Sequence, residues 1–89
     1  MRNFIFEPDA FEQLGDWAIY DKKKFLKIYE LLNEIRRTPY EGKGKPEPLQ
    51  HKLAGCWSRR IDDKHRLVYK ISETGDILIL SCKGHYSDK

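Results

Sequence analysis

Cysteine is scarce in this 89-residue chain: only Cys56 and Cys82 are present, too few and too far apart for a disulfide framework or a zinc site. Both fall in or beside expected strands, where cysteine behaves as a small buried hydrophobe. Long apolar runs are missing too. The longest uncharged one, residues 77–80, is a fraction of the roughly 20 residues a membrane helix needs. The N-terminus, Met1-Arg2-Asn3-Phe4-Ile5-Phe6-Glu7, lacks the apolar segment and small-residue cleavage site of a secretory signal. A cytoplasmic protein without membrane attachment is expected. No glycine-rich loop opens a helix, which argues against P-loop or Rossmann nucleotide binding. No serine sits in a nucleophile elbow. His51, His65 and His85 are scattered, without a His or Cys pair at ligand spacing, so no metal or cofactor is expected. Repeats and low-complexity tracts are absent, and the length suits one domain covering residues 1–89.

Aromatic mass is plentiful by contrast. Trp17, Trp57, four Phe and five Tyr accompany 39% apolar residues, more than a disordered chain carries. A core this small still gains from a partner or a second copy. Net charge is +3, from 17 basic and 14 acidic residues, a weak excess whose distribution says more. Glu7, Asp9, Glu12, Asp16 and Asp21 dominate the first 21 residues, against Arg2 alone. Lys43, Lys45, Lys52, Arg59, Arg60, Lys64 and Arg66 crowd the middle. A basic zone confined to one stretch is the footprint expected for a polyanion.

The apolar spacing predicts the element order. Residues 2–6 alternate as a short strand. Pro8 suits a first helical turn, and Ala10, Leu14, Trp17 and Ala18 carry that helix to about Tyr20. Asp21 is placed to cap a second helix, with Phe25, Ile28, Leu32 and Ile35 as its apolar stripe and Arg36-Arg37 suiting its C-terminal dipole. Thr38-Pro39 ends it. Residues 39–48, with two Gly and three Pro, read as a surface loop, followed by a brief helical turn near residues 49–53 that Gly55 stops. Residues 57–61, 66–71 and 77–83 read as strands, the last in an interior sheet position. The expected fold class is α+β: an N-terminal strand and a two-helix hairpin packed on an antiparallel sheet completed by a C-terminal three-strand meander.

Several polar groups fall where this arrangement can gather them. Glu47 lies in the loop, Arg59, Arg60 and Arg66 on neighbouring strands, and His85-Tyr86 directly after the last strand. Metal-free RNA cleavage needs a base for the ribose 2′-OH, an acid for the leaving 5′ oxygen, and a cation for the phosphorane. Carboxylate, imidazole or phenol, and guanidinium suit these tasks, and arginine holds phosphate bidentately. Taken singly, each residue has a plainer reading. Glu47 is a solvated loop carboxylate, and His85 and Tyr86 are tail or packing residues. Lys43 and Lys45 serve solubility. The tandem arginines point to opposite faces, so only one of them faces a given site.

The combined pattern is far more specific. The run Thr38-Pro39-Tyr40-Glu41-Gly42-Lys43-Gly44-Lys45-Pro46-Glu47-Pro48-Leu49 resembles the loop of the YoeB/Txe branch of the RelE superfamily. Cys56-Trp57-Ser58-Arg59-Arg60-Ile61 and His65-Arg66-Leu67-Val68-Tyr69 resemble the next two signatures, and His85-Tyr86 the terminal dipeptide. All four occur in order, and the similarity extends from the first strand to Tyr86. It implies a RelE-like toxin of a type II toxin–antitoxin system that cleaves messenger RNA in the ribosomal A site. It further implies no metal, a cyclic or 3′-phosphate product, frequent homodimers and neutralisation by a YefM-type antitoxin. Carried over by position, Glu47 is the general base, His85 the general acid, Arg66 the phosphorane cation and Tyr86 an RNA-positioning group. The base and acid roles of Glu47 and His85 are interchangeable at this level. Lys45, His51, Lys52, Arg59 and Arg60 are candidates for holding messenger or ribosomal RNA. One departure is that Ser87-Asp88-Lys89 follow the His-Tyr pair, where many relatives end.

Two alternatives stand beside the nuclease: a gyrase-inhibiting sister toxin on the same fold, and a non-catalytic module whose basic sheet binds RNA or ribosome. Fold does not separate them. The joint presence of Glu47, Arg66 and His85-Tyr86 favours acid–base chemistry.

Overall fold

The computed structural model describes residues 2–84. Their elements in order are β1 (Phe4–Phe6), α1 (Pro8–Tyr20), α2 (Lys22–Arg37), β2 (Glu47–Pro48), a 3-10 turn (His51–Leu53), β3 (Trp57–Arg60), β4 (Arg66–Ile71) and β5 (Ile77–Ser81). The boundaries follow from local chemistry. Pro8 occupies the first turn of α1, where a missing N–H costs nothing. The backbone N–H of Asp21 closes α1 on the Trp17 carbonyl, and its carboxylate caps α2 by accepting from the Lys24 N–H at 3.3 Å. Arg36 and Arg37 lie in the last turn of α2, at the negative end of its dipole. Thr38 closes that helix, and Pro39 cannot continue it.

The five strands form one sheet in the order β1-β5-β4-β3-β2. The β2 to β5 segment is an antiparallel meander, but β1 pairs with β5 in parallel, with Phe4 opposite Ile77 and Phe6 opposite Ile79. The sheet is therefore mixed rather than purely antiparallel. The helical hairpin carries the chain from β1 to the far edge, and the meander returns with β5 running in the direction of β1. Alternation within β1 marks it as a strand but carries no information on its partner. The expected loop also ends in a strand, β2, whose Pro48 is tolerated because β2 is an edge.

Both helices cover one face of the sheet. Ala10 from α1 and Ile28, Leu31, Leu32 and Ile35 from α2 meet Leu67, Tyr69, Ile77 and Ile79 from β4 and β5. Truncating one such fully buried residue, Ile35 for example, to alanine costs about 2–5 kcal/mol. A smaller cluster of Leu49, Cys56 and Val68, flanked by Leu53 and Leu80, lies apart from this core. Both cysteines are free and buried, as their apolar surroundings in the sequence indicated. Among the described residues, no helix is long and apolar enough to cross a membrane.

Candidate functional site

Strand register decides which polar groups share a face. Glu47 sits opposite Ser58, Ser58 opposite Val68, and Arg60 opposite Arg66. Directly opposed residues point the same way and alternate residues of one strand share a face. Glu47, Ser58, Arg60, Arg66 and Val68 therefore line the face turned away from the helices. Glu47 and Arg66 are two strands apart and two residues out of register, which sets their Cα atoms about 12 Å apart. That span lets a carboxylate and a guanidinium approach one phosphodiester from its two sides. Glu47 and Arg60 are exposed, and so are Lys45, His51 and Lys52 beside β2. Lys45 and His51 have positive φ, 51° and 54°.

Arg59 has the opposite fate. It is fully buried on the helix side of β3, and its guanidinium donates to the carbonyls of Lys43 (3.1 Å), Thr38 (2.6 Å) and Glu41 (2.9 Å) and to the Tyr69 hydroxyl (3.1 Å). Glu34 lies 4.0 Å from it, and accepts from the Lys43 N–H at 2.8 Å. The expectation that Arg59 contacts RNA is therefore corrected: it anchors the 38–44 loop from beneath, because a guanidinium satisfies several inward carbonyls at once. Tyr69 adds a bond from its hydroxyl to the Pro39 carbonyl at 2.5 Å. Burial pushes the Tyr69 phenol up, and the neighbouring Arg59 charge opposes that only in part. The Arg60 N–H bonds the Gly44 carbonyl at 2.7 Å. The loop thus arrives at β2 with its path set, and Glu47 follows on the exposed edge.

Arg66 is almost fully buried, at 9% exposure. Its Nη1 donates to three carbonyls of the β3–β4 turn: Asp62 at 2.8 Å, Asp63 at 3.2 Å and His65 at 3.2 Å. Among the described residues its side chain is held through Nη1 alone. The turn is closed by Asp62, whose Oδ1 accepts from the N–H groups of Lys64 (2.8 Å) and His65 (2.6 Å) while Oδ2 faces Lys24 of α2 at 3.2 Å.

His85 and Tyr86, expected as acid and RNA-positioning group, lie outside the described residues. Their sequence neighbour Gly84 is held twice. Its carbonyl accepts from the Arg66 N–H at 2.9 Å, and its N–H donates to Nδ1 of His65 at 2.8 Å. Accepting at Nδ1 puts the ring proton of neutral His65 on Nε2. Trp17 meets the His65 ring edge-on at 4.9 Å and donates from its indole to the Cys82 carbonyl at 2.7 Å, while Gln13 accepts from the Cys82 N–H. Motif and composition single out neither Asp62 nor His65 for a role at the site. An Asp followed two and three residues later by turn N–H groups is a known turn-closing signature, and that was the available signal.

A groove of about 380 Å³ is lined by Glu7, Pro8, Asp9, Leu53, Val68 and Leu80. Among the described residues none of the expected site residues lines it, and its carboxylates disfavour a phosphate backbone. Val68 in its lining shares the sheet face of Arg60 and Arg66.

Residues 6–86 match the family model of the YoeB-like toxin of bacterial type II toxin–antitoxin systems. The "Toxin YoeB" of Mycobacterium bovis is 48% identical over 86 residues, covering 97% of this chain and all of that protein. The YoeB dimer from Staphylococcus aureus superposes with a TM-score of 0.88 at 48% identity, covering 96% of this chain and 98% of that one. The YoeB–YefM complex from the same organism gives 0.87 at 46% identity, covering 97% and 99%. With the fold, the arginine-bearing sheet face and these similarities together, the chain belongs to the YoeB-like toxins of bacterial type II toxin–antitoxin systems.

Proposed function

We propose that this toxin acts as one domain, residues 1–89, in the bacterial cytoplasm, as a ribosome-dependent endoribonuclease that cuts messenger RNA at the A-site codon and so stops translation. The observation that supports this reading best is the sharing of one sheet face by Glu47, Arg60 and Arg66, with Gly84 bonded to the backbone of Arg66 one residue before His85.

In this reaction Glu47 takes the proton of the ribose 2′-OH, and the 2′ oxygen bonds to the adjacent phosphorus. The Arg66 guanidinium stabilises the charge that builds on the phosphorane. The P–O5′ bond breaks, and His85 protonates the departing 5′ oxygen. A 2′,3′-cyclic phosphate and a 5′-hydroxyl result, without a step routed through a metal. The exchanged assignment, His85 as base and Glu47 as acid, balances equally. Tyr86 positions the RNA at the scissile step, and Arg60, Lys45, His51 and Lys52 hold messenger or ribosomal RNA by charge and stacking. The proposed partners are a second copy and a YefM-type antitoxin, whose acidic segment folds over the basic face on binding.

Primer extension on a defined message in a purified translation system tests this. New 5′ ends at the A-site codon, lost in Glu47→Ala and His85→Ala, are expected. Arg66→Ala lowers the cleavage rate on the order of 100- to 1000-fold, and Arg66→Lys recovers part of it because a point charge replaces the fork. Stalled translation with an intact message would reject the nuclease and leave a binding inhibitor.

A further inference from the structure

The β3–β4 turn is more than a connection. Three of its carbonyls converge on Nη1 of Arg66, and a fourth element, the His65 ring, holds the N–H of Gly84. Carbonyls aim at a common point only when the turn has one conformation. The Ile61 and Asp62 N–H groups hold the His65 carbonyl, and the tip of the turn is held by the Asp62 carboxylate, whose Oδ1 accepts the Lys64 and His65 N–H groups together. Its second oxygen ties the turn to Lys24 at the start of α2. Without an acceptor on residue 62 the Lys64 and His65 N–H groups would be solvated, and the peptide plane that carries the Asp63 carbonyl and the Lys64 N–H would be free to rotate, while the His65 carbonyl stays held by the Ile61 N–H at 2.9 Å.

We infer that Asp62 is a positioning residue for this site: by closing the turn it fixes the Arg66 guanidinium and, through His65, the backbone at Gly84. The inference rests on the reading of Arg66 as the cation that meets the scissile phosphate. The acceptor oxygen, not the negative charge, carries the effect. The charge serves chiefly the partly exposed contact with Lys24, and ion pairs that water reaches contribute little.

The test compares the parent, Asp62→Ala, Asp62→Asn, Lys24→Ala and Arg66→Ala in single-turnover cleavage on programmed ribosomes, with thermal unfolding run alongside. Asp62→Ala is expected to slow cleavage at saturating ribosomes on the order of 10- to 100-fold, with half-saturation moved less than about twofold, because misplacement of a group acts on the chemical step. Asp62→Asn, whose amide oxygen closes the same turn, should return the rate to within about threefold of the parent. Lys24→Ala should stay within about twofold. A second readout is independent of activity: the Arg66 side-chain Nε–H signal in a nitrogen-15 NMR spectrum. It should shift and exchange faster with water in Asp62→Ala, but not in Asp62→Asn.

Parent-like cleavage and an unmoved arginine signal in Asp62→Ala would overturn the inference. So would a loss that Asp62→Asn fails to restore, since charge rather than turn closure would then be responsible. If Asp62→Ala does not stay folded at the assay temperature, Asp62→Ser takes its place: its hydroxyl sits one bond closer to the backbone and closes such turns more weakly, so it should cleave more slowly than Asp62→Asn, and a rate equal to that of Asp62→Asn would overturn the inference. A parent protein that leaves the message intact would reject the nuclease reading alone, because the arginine signal still reports what Asp62 holds.

Discussion

The Nε–H of Arg59 donates to the hydroxyl of Tyr69 at 3.1 Å, and the same hydroxyl donates onward to the carbonyl of Pro39 at 2.5 Å. These two side chains, from β3 and β4, thereby hold the loop that delivers Glu47 to the sheet edge. The pair explains why a strongly basic residue is spent inside so small a core.

Removing Arg59 strands these partners. Arg59→Ala leaves three inward carbonyls without their donor and Glu34 without its nearest buried cation. The expected loss is about 3 kcal/mol or more, which for a domain of this size lowers Tm by roughly 12 °C or more. Arg59→Lys should recover little, since one ammonium cannot reach four acceptors. A calorimetric Tm within a few degrees of the parent would contradict the anchoring role.

Two glycines should respond in opposite directions. Gly42 has a φ of +117°, and a Cβ there would overlap Oε1 of Glu34, an oxygen already bound to the Lys43 N–H. Gly42→Ala should cost about 1–3 kcal/mol from backbone strain alone. Gly15 lies within α1, and a methyl group added there would meet nothing within 4 Å, so Gly15→Ala should stabilise by about 0.5–1 kcal/mol. Urea unfolding of the two variants measures both signs.

Acid should weaken the fold through Asp62. Partial burial pushes its carboxyl up, but the His65 and Lys64 N–H groups and the Lys24 ammonium outweigh this and bring it to about 2, below the roughly 3.9 of an unfolded aspartate. With the folded value depressed, the stabilisation is present above about pH 4 and is lost as pH falls towards 2. Asp62→Asn lacks this titration. Between about pH 5 and pH 2 the parent should lose about 1–2 kcal/mol more stability than Asp62→Asn, allowing for the quarter of the side chain that water reaches. Parallel losses would show that the carboxylate gains nothing on folding.

The thiols should be inert. Burial pushes Cys82 up to about 12, and it raises Cys56 against the opposing charge of Lys70. Thiolate is the reactive form, so iodoacetamide at neutral pH should label neither cysteine until the protein unfolds. Rapid labelling of native protein would place one of them at the surface.

Local pattern was enough for much of this molecule. The 3.6-residue stripe of Ile28, Leu32 and Ile35, the cap at Asp21, the stop at Thr38-Pro39 and the alternation of residues 66–71 all depend on neighbours within a few positions. The helices and β4 consequently have the extents the sequence indicates. The same alternation required Arg59 and Arg60 to face opposite ways, and the motif order was sufficient to place the chain among the YoeB-like toxins. Pairing was decided elsewhere. That β1 joins β5 in parallel, and that Glu47 belongs to a two-residue edge strand, depends on contacts between residues far apart in the chain. Only the tertiary structure could choose which of the tandem arginines is buried, because that follows from which sheet face the helices cover. It likewise showed Asp62 closing the turn around Arg66, where the folded backbone aims three nearby carbonyls at one guanidinium and Lys24, far away in the chain, reaches the same carboxylate.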